Sequence, residues 1–479
     1  MIRQTRPRDV RRSVAHFAPD RRPPRALSTP YILLLGFVLL IIVGGLLLAL
    51  PIANHQNEFT SLDISFFTAI SAVTVTGHTV VPTSTYWSGF GQGVIFLLML
   101  VGGLGFMVVS TFLLLVIGQR STLQERLMSS GFMRDTVGVE GMQGLRRIGR
   151  NVVLMVFALY VLGTMGIFWQ VQGLDGMGFG ESLWNSTFLS VSAFNNAGFN
   201  ILPELPTGSS LARFATNPIL LLMTTVLIVL GGLGWTVLLD IYRNRRFPRL
   251  GLDAKLVVVT SLALWGFGAG VLLIAEFSNP ETLGSLNWVD RVTGAVFGSA
   301  SGRTAGFTTI DFGDVRDITK LTYTGLMFIG GGAGSVAGGI KVVTFAVIVA
   351  AVVSSLRGRS HAEAFGREIH QSQLHRALAV AVLGIGLSML LVAILTLTER
   401  DVLIEKGISF VDLLFDTVSA LGTTGASTGI VPDLTVGGKA IFMVAMFVGR
   451  LGPVTLALTL VPREEATVYR FVRERVKIG

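Results

Sequence analysis

The sequence predicts an all-α membrane protein assembled from four similar units, and three observations predict it. The chain of 479 residues is 51% hydrophobic and only 14% charged, with a mean hydropathy of +0.66, whereas a soluble protein carries about 25% charged residues. Apolar runs of about 20 residues recur along it, each long enough to cross a bilayer as a helix. Two glycine-bearing motifs recur four times in the same order, and repetition of that kind decides an architecture before any local reading does.

The elements follow in order. Residues 1–30 form a polar, Arg-rich segment. No small-residue cleavage site follows the apolar run that begins at Tyr31, so this run reads as a first span and not as a removable signal. Eight long apolar segments lie near 31–52, 94–117, 152–168, 219–241, 256–275, 321–353, 377–397 and 440–461. They pair into units at 31–120, 150–244, 254–356 and 376–462, followed by a tail over 463–479. Within each pair sits a shorter stretch ending in Gly, Thr, Asn and Ser. It is too short and too interrupted to span, and reads as a re-entrant helix followed by a loop. The expectation is eight spanning helices plus four re-entrant pore helices.

Charge orients these elements. Basic residues collect in the N-terminal segment, in the second-to-third, fourth-to-fifth and sixth-to-seventh connections, and in the tail. Examples are Arg11, Arg126, Arg245, Arg359 and Arg473. The other four connections lean acidic, with Glu58, Asp175, Asp311, Asp416 and Asp433 among them. The positive-inside rule then puts both termini in the cytoplasm and lets all four re-entrant stretches enter from outside. The same rule accounts for the net charge of +9 without nucleic acid. With no cysteine, disulfides, thiolate metal sites and Cys nucleophiles are excluded. Glycine, at 57 residues, implies close helix packing and buried non-helical backbone.

The re-entrant stretches end alike, in Ser71-Ala-Val-Thr-Val-Thr-Gly77, Ser192-Ala-Phe-Asn-Asn-Ala-Gly198, the variant Ala300-Ser-Gly-Arg-Thr-Ala-Gly306, and Ser419-Ala-Leu-Gly-Thr-Thr-Gly425. A second cluster follows inside the next apolar segment: Gly102-Gly-Leu-Gly-Phe106, Gly231-Gly-Leu-Gly-Trp235, Gly331-Gly-Ala-Gly-Ser335 and Gly449-Arg-Leu-Gly-Pro453. Each unit holds an even number of spans, so all four share one orientation. Parallel repeats imply a pseudo-fourfold axis along the membrane normal, with four loops converging on a pore. Dehydrated cations are held by backbone carbonyls in such loops, and glycine lets those carbonyls turn inward. The candidate filter is Val75, Thr76 and Gly77; Asn196, Ala197 and Gly198; Thr304, Ala305 and Gly306; and Thr423, Thr424 and Gly425. No Asp or Glu lies in the four strings, which suits a monovalent ion better than calcium. Arg303 is expected to point away from the axis, toward a carboxylate or loop carbonyls.

The sixth segment contains a run no helix tolerates well, since each glycine costs up to about 1 kcal/mol relative to Ala. Gly330, Gly331, Gly332, Gly334, Ser335, Gly338 and Gly339 read as a constriction over 330–339 below the filter, hence a gate, or else as a simple kink. Lys341 follows as a candidate anchor. Arg450, within the eighth segment, either places positive charge beneath the filter or pairs with a neighbouring helix. The histidines lack metal-ligand spacing. No positioned nucleophile and no phosphate-binding glycine loop is present, so the chain does not read as an enzyme. Alternating access coupled to sodium or protons stands as the alternative. It favours inverted repeats and ionisable residues at the midplane.

Taken together, Thr74-Val-Thr-Gly77, Asn195-Asn-Ala-Gly-Phe199, Arg303-Thr-Ala-Gly-Phe307, Gly422-Thr-Thr-Gly425, the break before Gly338-Gly-Ile-Lys341, and Gly449-Arg-Leu-Gly-Pro453 resemble the Trk/Ktr/HKT superfamily of potassium transporters. The likeness is greatest to the membrane subunit of bacterial Ktr systems and covers residues 31–462. It implies gated, channel-like potassium uptake by a homodimer with one pore per protomer in the bacterial inner membrane. It also implies a cytosolic RCK-type regulatory ring that binds ATP or ADP on the partner, and sodium as a stimulating ion. Glycine at all four filter positions resembles the potassium-selective type; plant relatives with Ser at the first position favour sodium. The break in the sixth segment resembles the family's intramembrane gating loop, Arg450 the arginine near that gate, and Arg303 part of its third-loop pattern. His78, where a hydrophobic residue is more usual, is a departure and a candidate source of pH sensitivity at the pore mouth. The Arg-rich residues 1–30 lie outside the shared pattern and are expected to contact lipid or the ring.

Overall fold

The computed structural model describes residues 29–118, 139–203 and 210–452. Expectations for residues 1–28, the connection 119–138 and the tail from 453 onward lie outside the described residues.

Four units follow one plan. The first has α1 (Thr29–Ala49), the short pore helix α2 (Leu62–Val73), a single turn α3 (Thr83–Tyr86) and α4 (Gly89–Gly118). The second has α5 (Val139–Val171), pore helix α6 (Phe179–Phe194), α7 (Pro218–Leu233) and α8 (Trp235–Asn244). The third has α9 (Leu252–Glu276), pore helix α10 (Trp288–Ser301), α11 (Asp317–Phe328) and α12 (Val342–Leu356). The fourth has α13 (Gln371–Thr398), α14 (Arg400–Lys406), pore helix α15 (Phe410–Gly422) and α16 (Val436–Leu451).

The units close in a ring. The helix after each pore loop packs on the pore helix of the next unit: α4 on α6, α7 on α10, α11 on α15, and α16 back on α2. Long helices bury one side against this ring and leave apolar residues outward. On α13, Leu391 and Leu395 are buried while Leu397 is 80% exposed, and Ile274 of α9 is 83% exposed. That outward apolar face is what a lipid-facing helix presents.

Polar ties fix the outer ends. Glu276, at the end of α9, accepts hydrogen bonds from the Arg316 amide (3.0 Å) and the Thr319 hydroxyl (2.5 Å) at the start of α11. Glu399, after α13, does the same for the Thr435 amide (2.9 Å) and hydroxyl (2.6 Å) ahead of α16. Both carboxylates are buried and cap a helix N-terminus, where negative charge is stabilising.

The fourth span and a small hairpin differ from the expectation. Among the described residues, three helices are by length and composition fit to cross a membrane (Gly149–Val171, Leu252–Glu276 and Gln371–Thr398), or four if a bent pair counts as one. That pair is the expected fourth span: α7 and α8 meet at 98° at Gly234, whose φ of +88° ends the first helix. The expected sixth span is two helices with non-helical backbone from Ile329 to Lys341 between them, a break that the glycine run at 330–339 leads one to expect. A small antiparallel hairpin, β1 (Glu363–Ala364) with β2 (Arg367–Glu368), turns through Phe365 and Gly366, both at positive φ. The turn fits the hairpin preference for left-handed residues.

Candidate functional site

The four signature strings come together at the centre. The glycines Gly77, Gly198, Gly306 and Gly425 all line one outward cavity of about 90 Å³, together with Asn200 and Ser427. The loops touch in strict rotation. A Cβ on Gly77 would lie 2.3 Å from the Ala197 carbonyl oxygen, and one on Gly198 would lie 3.0 Å from that of Ala305. One on Gly306 would lie 2.1 Å from Thr424 O, and one on Gly425 would lie 2.0 Å from Thr76 O. Each glycine therefore abuts the carbonyl that precedes the next glycine, and the ring closes on itself. All four glycines have positive φ, from +71° to +91°, so a side chain is excluded by conformation as well as by space.

A second left-handed position lies two residues earlier in every loop, at Val75, Asn196, Thr304 and Thr423. For α2, α6 and α15 this is the C-terminal turn of the pore helix. The Val75, Asn196 and Thr423 amides reach back three residues, and the Thr76, Ala197 and Thr424 amides reach back five. That pairing is a Schellman cap, which usually carries glycine at the left-handed site. A β-branched Val or Thr there is strained. The third loop is one residue tighter, with the Ala305 amide bonding to the Ser301 carbonyl. All four pore helices point their C-terminal, partially negative ends at the ring, which favours a cation there.

Side chains brace the loops from behind. The Ser192 and Ser301 hydroxyls donate to the Phe199 and Phe307 carbonyls at 2.7 and 2.6 Å, and the Gly77 amide donates to Ser71 Oγ at 3.1 Å. Tyr160 donates to Asn195 Oδ1 at 3.0 Å. In the fourth loop the brace is Asp416, fully buried, whose Oδ2 accepts from the Thr428 amide (2.9 Å) and hydroxyl (2.5 Å). Sequence reading grouped Asp416 with acidic outer-loop residues. A second carboxylate, one turn deeper than Asp412 in the same re-entrant helix, was the signal for its role. Nearer the surface, Asp412 pairs with Lys320 at 2.7 Å. Partial burial raises the pKa of that carboxyl, but hydrogen bonds from Lys320 and Ser409 and the lysine charge outweigh it and hold the group below its usual range.

The segment 330–339 lies directly beneath. Gly330 pairs with Ile340 (N···O 2.8 Å), Gly332 donates to the Gly232 carbonyl (2.8 Å), and Val336 to that of Gly231 (3.3 Å). A Cβ on Gly338 would lie 1.9 Å from Thr423 Oγ1, so the segment touches the fourth filter loop. Two buried arginines hold it. Arg303 donates to the Ile329 and Gly330 carbonyls (3.4 and 2.7 Å) and stacks over Trp265. Arg450 donates to the Val336 carbonyl and, at 3.4 Å, to that of Gly102. Lys341 Nζ donates to Ala337 O at 2.5 Å. Of the two partners considered for Arg303, the structure provides carbonyls. For Arg450 it also provides carbonyls, one of them belonging to the segment itself. His78 is not at the mouth. It is 1% exposed, neither ring nitrogen has a hydrogen-bond partner, and its ring meets the edge of Phe442 at 5.8 Å.

The second glycine clusters divide by role. Cβ atoms on Gly102, Gly231 and Gly449 would fall 2.1, 1.9 and 1.9 Å from the carbonyls of Val73, Phe194 and Leu421, at the ends of their own pore helices. In the third unit that position is taken up by the open segment.

Comparison with known proteins agrees with this architecture. The family profile described as "TrkH: Cation transport protein" matches residues 12–468. The chain belongs to the TrkH family of cation transport proteins. The "Ktr system potassium uptake protein B" of Bacillus subtilis is 37% identical over 442 residues, covering 92% of this chain and 95% of that one. The "Potassium/sodium uptake protein NtpJ" of Enterococcus hirae is 32% identical, covering 96% and 99%. Among solved structures, the potassium transporter TrkH from Vibrio parahaemolyticus superposes with a TM-score of 0.67 at 19% identity, over 92% of this chain and 86% of that one. It therefore supports the fold alone. A TrkH-family chain with lipid-facing helices is a multi-pass membrane protein that transports rather than catalyses.

Proposed function

We propose that this chain is the conducting subunit of a potassium uptake system, with ions passing down their electrochemical gradient through a filter built from the four glycine loops. The observation that carries the reading is the rotation of contacts in which each filter glycine abuts the next loop's carbonyl. Such a ring supplies dipoles without full charge, as a monovalent cation requires. The filter comprises the twelve residues named above, and 330–339 with Lys341 and Arg450 forms the gate. The names of the Ktr relatives support potassium as the ion. Eight spans with both termini cytoplasmic, in a bacterial inner membrane, complete the topology. Two of those spans are broken ones. The working unit is a homodimer regulated by a cytosolic RCK-type ring that binds ATP or ADP, with sodium as a stimulating ion. An interior at about −100 mV contributes roughly 2.3 kcal/mol per charge, enough to drive uptake without hydrolysis on this chain.

The test is potassium and sodium flux into liposomes holding the purified chain, with and without the candidate ring. Passive, potassium-selective flux that responds to ATP or ADP only with the ring present is expected. Flux that instead tracks an imposed sodium or proton gradient would establish the alternating-access reading.

A further inference from the structure

We infer that α8 and the turn after it bind anionic phospholipid headgroups of the inner leaflet and pass that contact to the segment 330–339. The inference rests on the permeation reading for its functional consequence, not for the binding itself.

The geometry begins at the break. α7 has 16 residues, about 24 Å of helix. α8 leaves it at 98°, so if α7 crosses the bilayer, α8 runs along it. Helices lying in the interface bury one apolar side and present basic residues and aromatics near the headgroups. α8 and its sequel do so. Trp235 and Val237 are buried, while Tyr242 is 71% exposed and Phe247 44% exposed. Arg243, Arg245, Arg246 and Arg249 are all exposed around them. The Arg245 guanidinium lies 5.8 Å from the Tyr242 ring centre. Among the described residues, Arg245, Arg246 and Arg249 form no ion pair. The nearby carboxylate, Asp240, is occupied by Asn244 (2.5 Å) and the Gly251 amide (2.8 Å). Lys255 donates to the Pro248 carbonyl (3.0 Å) and keeps the turn in shape.

The positive-inside rule explains arginines in this connection. It does not explain an in-plane helix, two exposed aromatics among them, and a hinge seated on the gate. The hinge is the functional link. A Cβ on Gly234 would lie 2.8 Å from Ala333 O and 3.2 Å from Ser335 N, and the adjoining Gly231 and Gly232 carbonyls bond to Val336 and Gly332. A pull on α8 therefore acts on the gate backbone within one residue. A soluble ring could dock on the same arginines. The bilayer is favoured because the helix that carries them turns off a membrane-embedded segment.

The experiment compares wild type, the triple variant Arg245→Gln/Arg246→Gln/Arg249→Gln, and a charge-matched control, Arg150→Gln/Arg357→Gln/Arg376→Gln. Two readouts are taken. The first is the shift in thermal unfolding midpoint when phosphatidylglycerol, phosphatidylcholine or inorganic phosphate is added to the detergent-purified chain. The second is potassium flux in phosphatidylcholine vesicles with and without phosphatidylglycerol. Phosphatidylglycerol alone is expected to raise the midpoint, and the triple variant is expected to need on the order of a hundredfold more of it, since each basic residue near an anionic surface contributes about fivefold in affinity. The control should behave as wild type. Flux of wild type and control should change with phosphatidylglycerol, while flux of the triple variant should not. A triple variant that responds to the lipid like wild type overturns the site, even if it has lost its response to the ring. Absence of flux in every vesicle would sink the permeation reading, and the midpoint shift would still decide the lipid site.

Discussion

The third unit and the other three share one ancestral plan and use the same glycine cluster in opposite ways. In the first, second and fourth units, Gly102, Gly231 and Gly449 let a helix backbone touch the end of its own pore helix, and the helix runs on or breaks only after that contact. In the third unit the helix stops at Phe328, and Gly330 faces Gly338 of the same segment. The cluster that elsewhere tightens packing here supplies the freedom to leave the helix. One site of a pseudo-fourfold ring has become an asymmetric open segment, the proposed gate, while the ring of glycine loops above it keeps its symmetry. Arg303 and Arg450 reach that segment from the third and fourth units, and the Gly231 and Gly232 carbonyls reach it from the second.

The sharpest way to break the comparison is at the symmetric level. Gly77→Ser puts a Cβ 2.3 Å from Ala197 O at a φ of +91°, so the carbonyl ring must deform. The ratio of potassium to sodium flux should fall by about tenfold, a change of about 1.4 kcal/mol in relative stabilisation. An unchanged ratio removes these loops as the filter. Next in size is the asymmetric level. Arg450→Gln deletes a charge-assisted bond to the Val336 carbonyl, and such bonds contribute about 1.5–3 kcal/mol. Potassium flux in the absence of the ring should rise several-fold with its ion ratio intact. If flux falls while the folded fraction holds, the segment is not a barrier. A packing test follows. Gly449→Ala crowds the Leu421 carbonyl at 1.9 Å, and overpacking of this kind costs about 1–3 kcal/mol. A lower unfolding midpoint with unchanged ion ratio is expected. A shifted ratio at unchanged stability would mean that this cluster, too, belongs to the conduction path.

The repeat plan was legible because its signals are local and redundant: four glycine strings, each after a short apolar stretch. The four glycines that meet at the centre announce themselves for the same reason. The left-handed Val75, Thr304 and Thr423 were not legible, because nothing in a β-branched side chain advertises positive φ and only the ring around them enforces it; Asn196 is of a type that tolerates it. The 98° turn at Gly234 was hidden in a continuous apolar run, 219–241, whose composition satisfies a span whether or not it bends. Asp416 was visible as a letter, yet its partner Thr428 lies on the far side of the filter loop, and such pairs emerge only with the fold.

His78 gives the smallest expected effect and the cleanest contrast between a residue's position in the sequence and its place in the structure. It follows the first filter glycine, which suggested a titrating group at the mouth, but the side chain turns outward from the cavity into packing with Phe442. Neither ring nitrogen meets a hydrogen-bond partner there. Protonation would leave an unpaired charge inside the protein, a cost that keeps such a group out of the physiological titration range. The residue therefore contributes ring packing and no proton switch. Potassium flux measured at an external pH of about 5.5 and about 8, on either side of the ordinary histidine range, should show the same pH profile in wild type and His78→Phe. His78→Ala should lower the unfolding midpoint and leave that profile alone. A pH dependence present in wild type and abolished by His78→Phe would show that the ring reaches water during conduction, and that the filter's outer edge moves further than its packing implies.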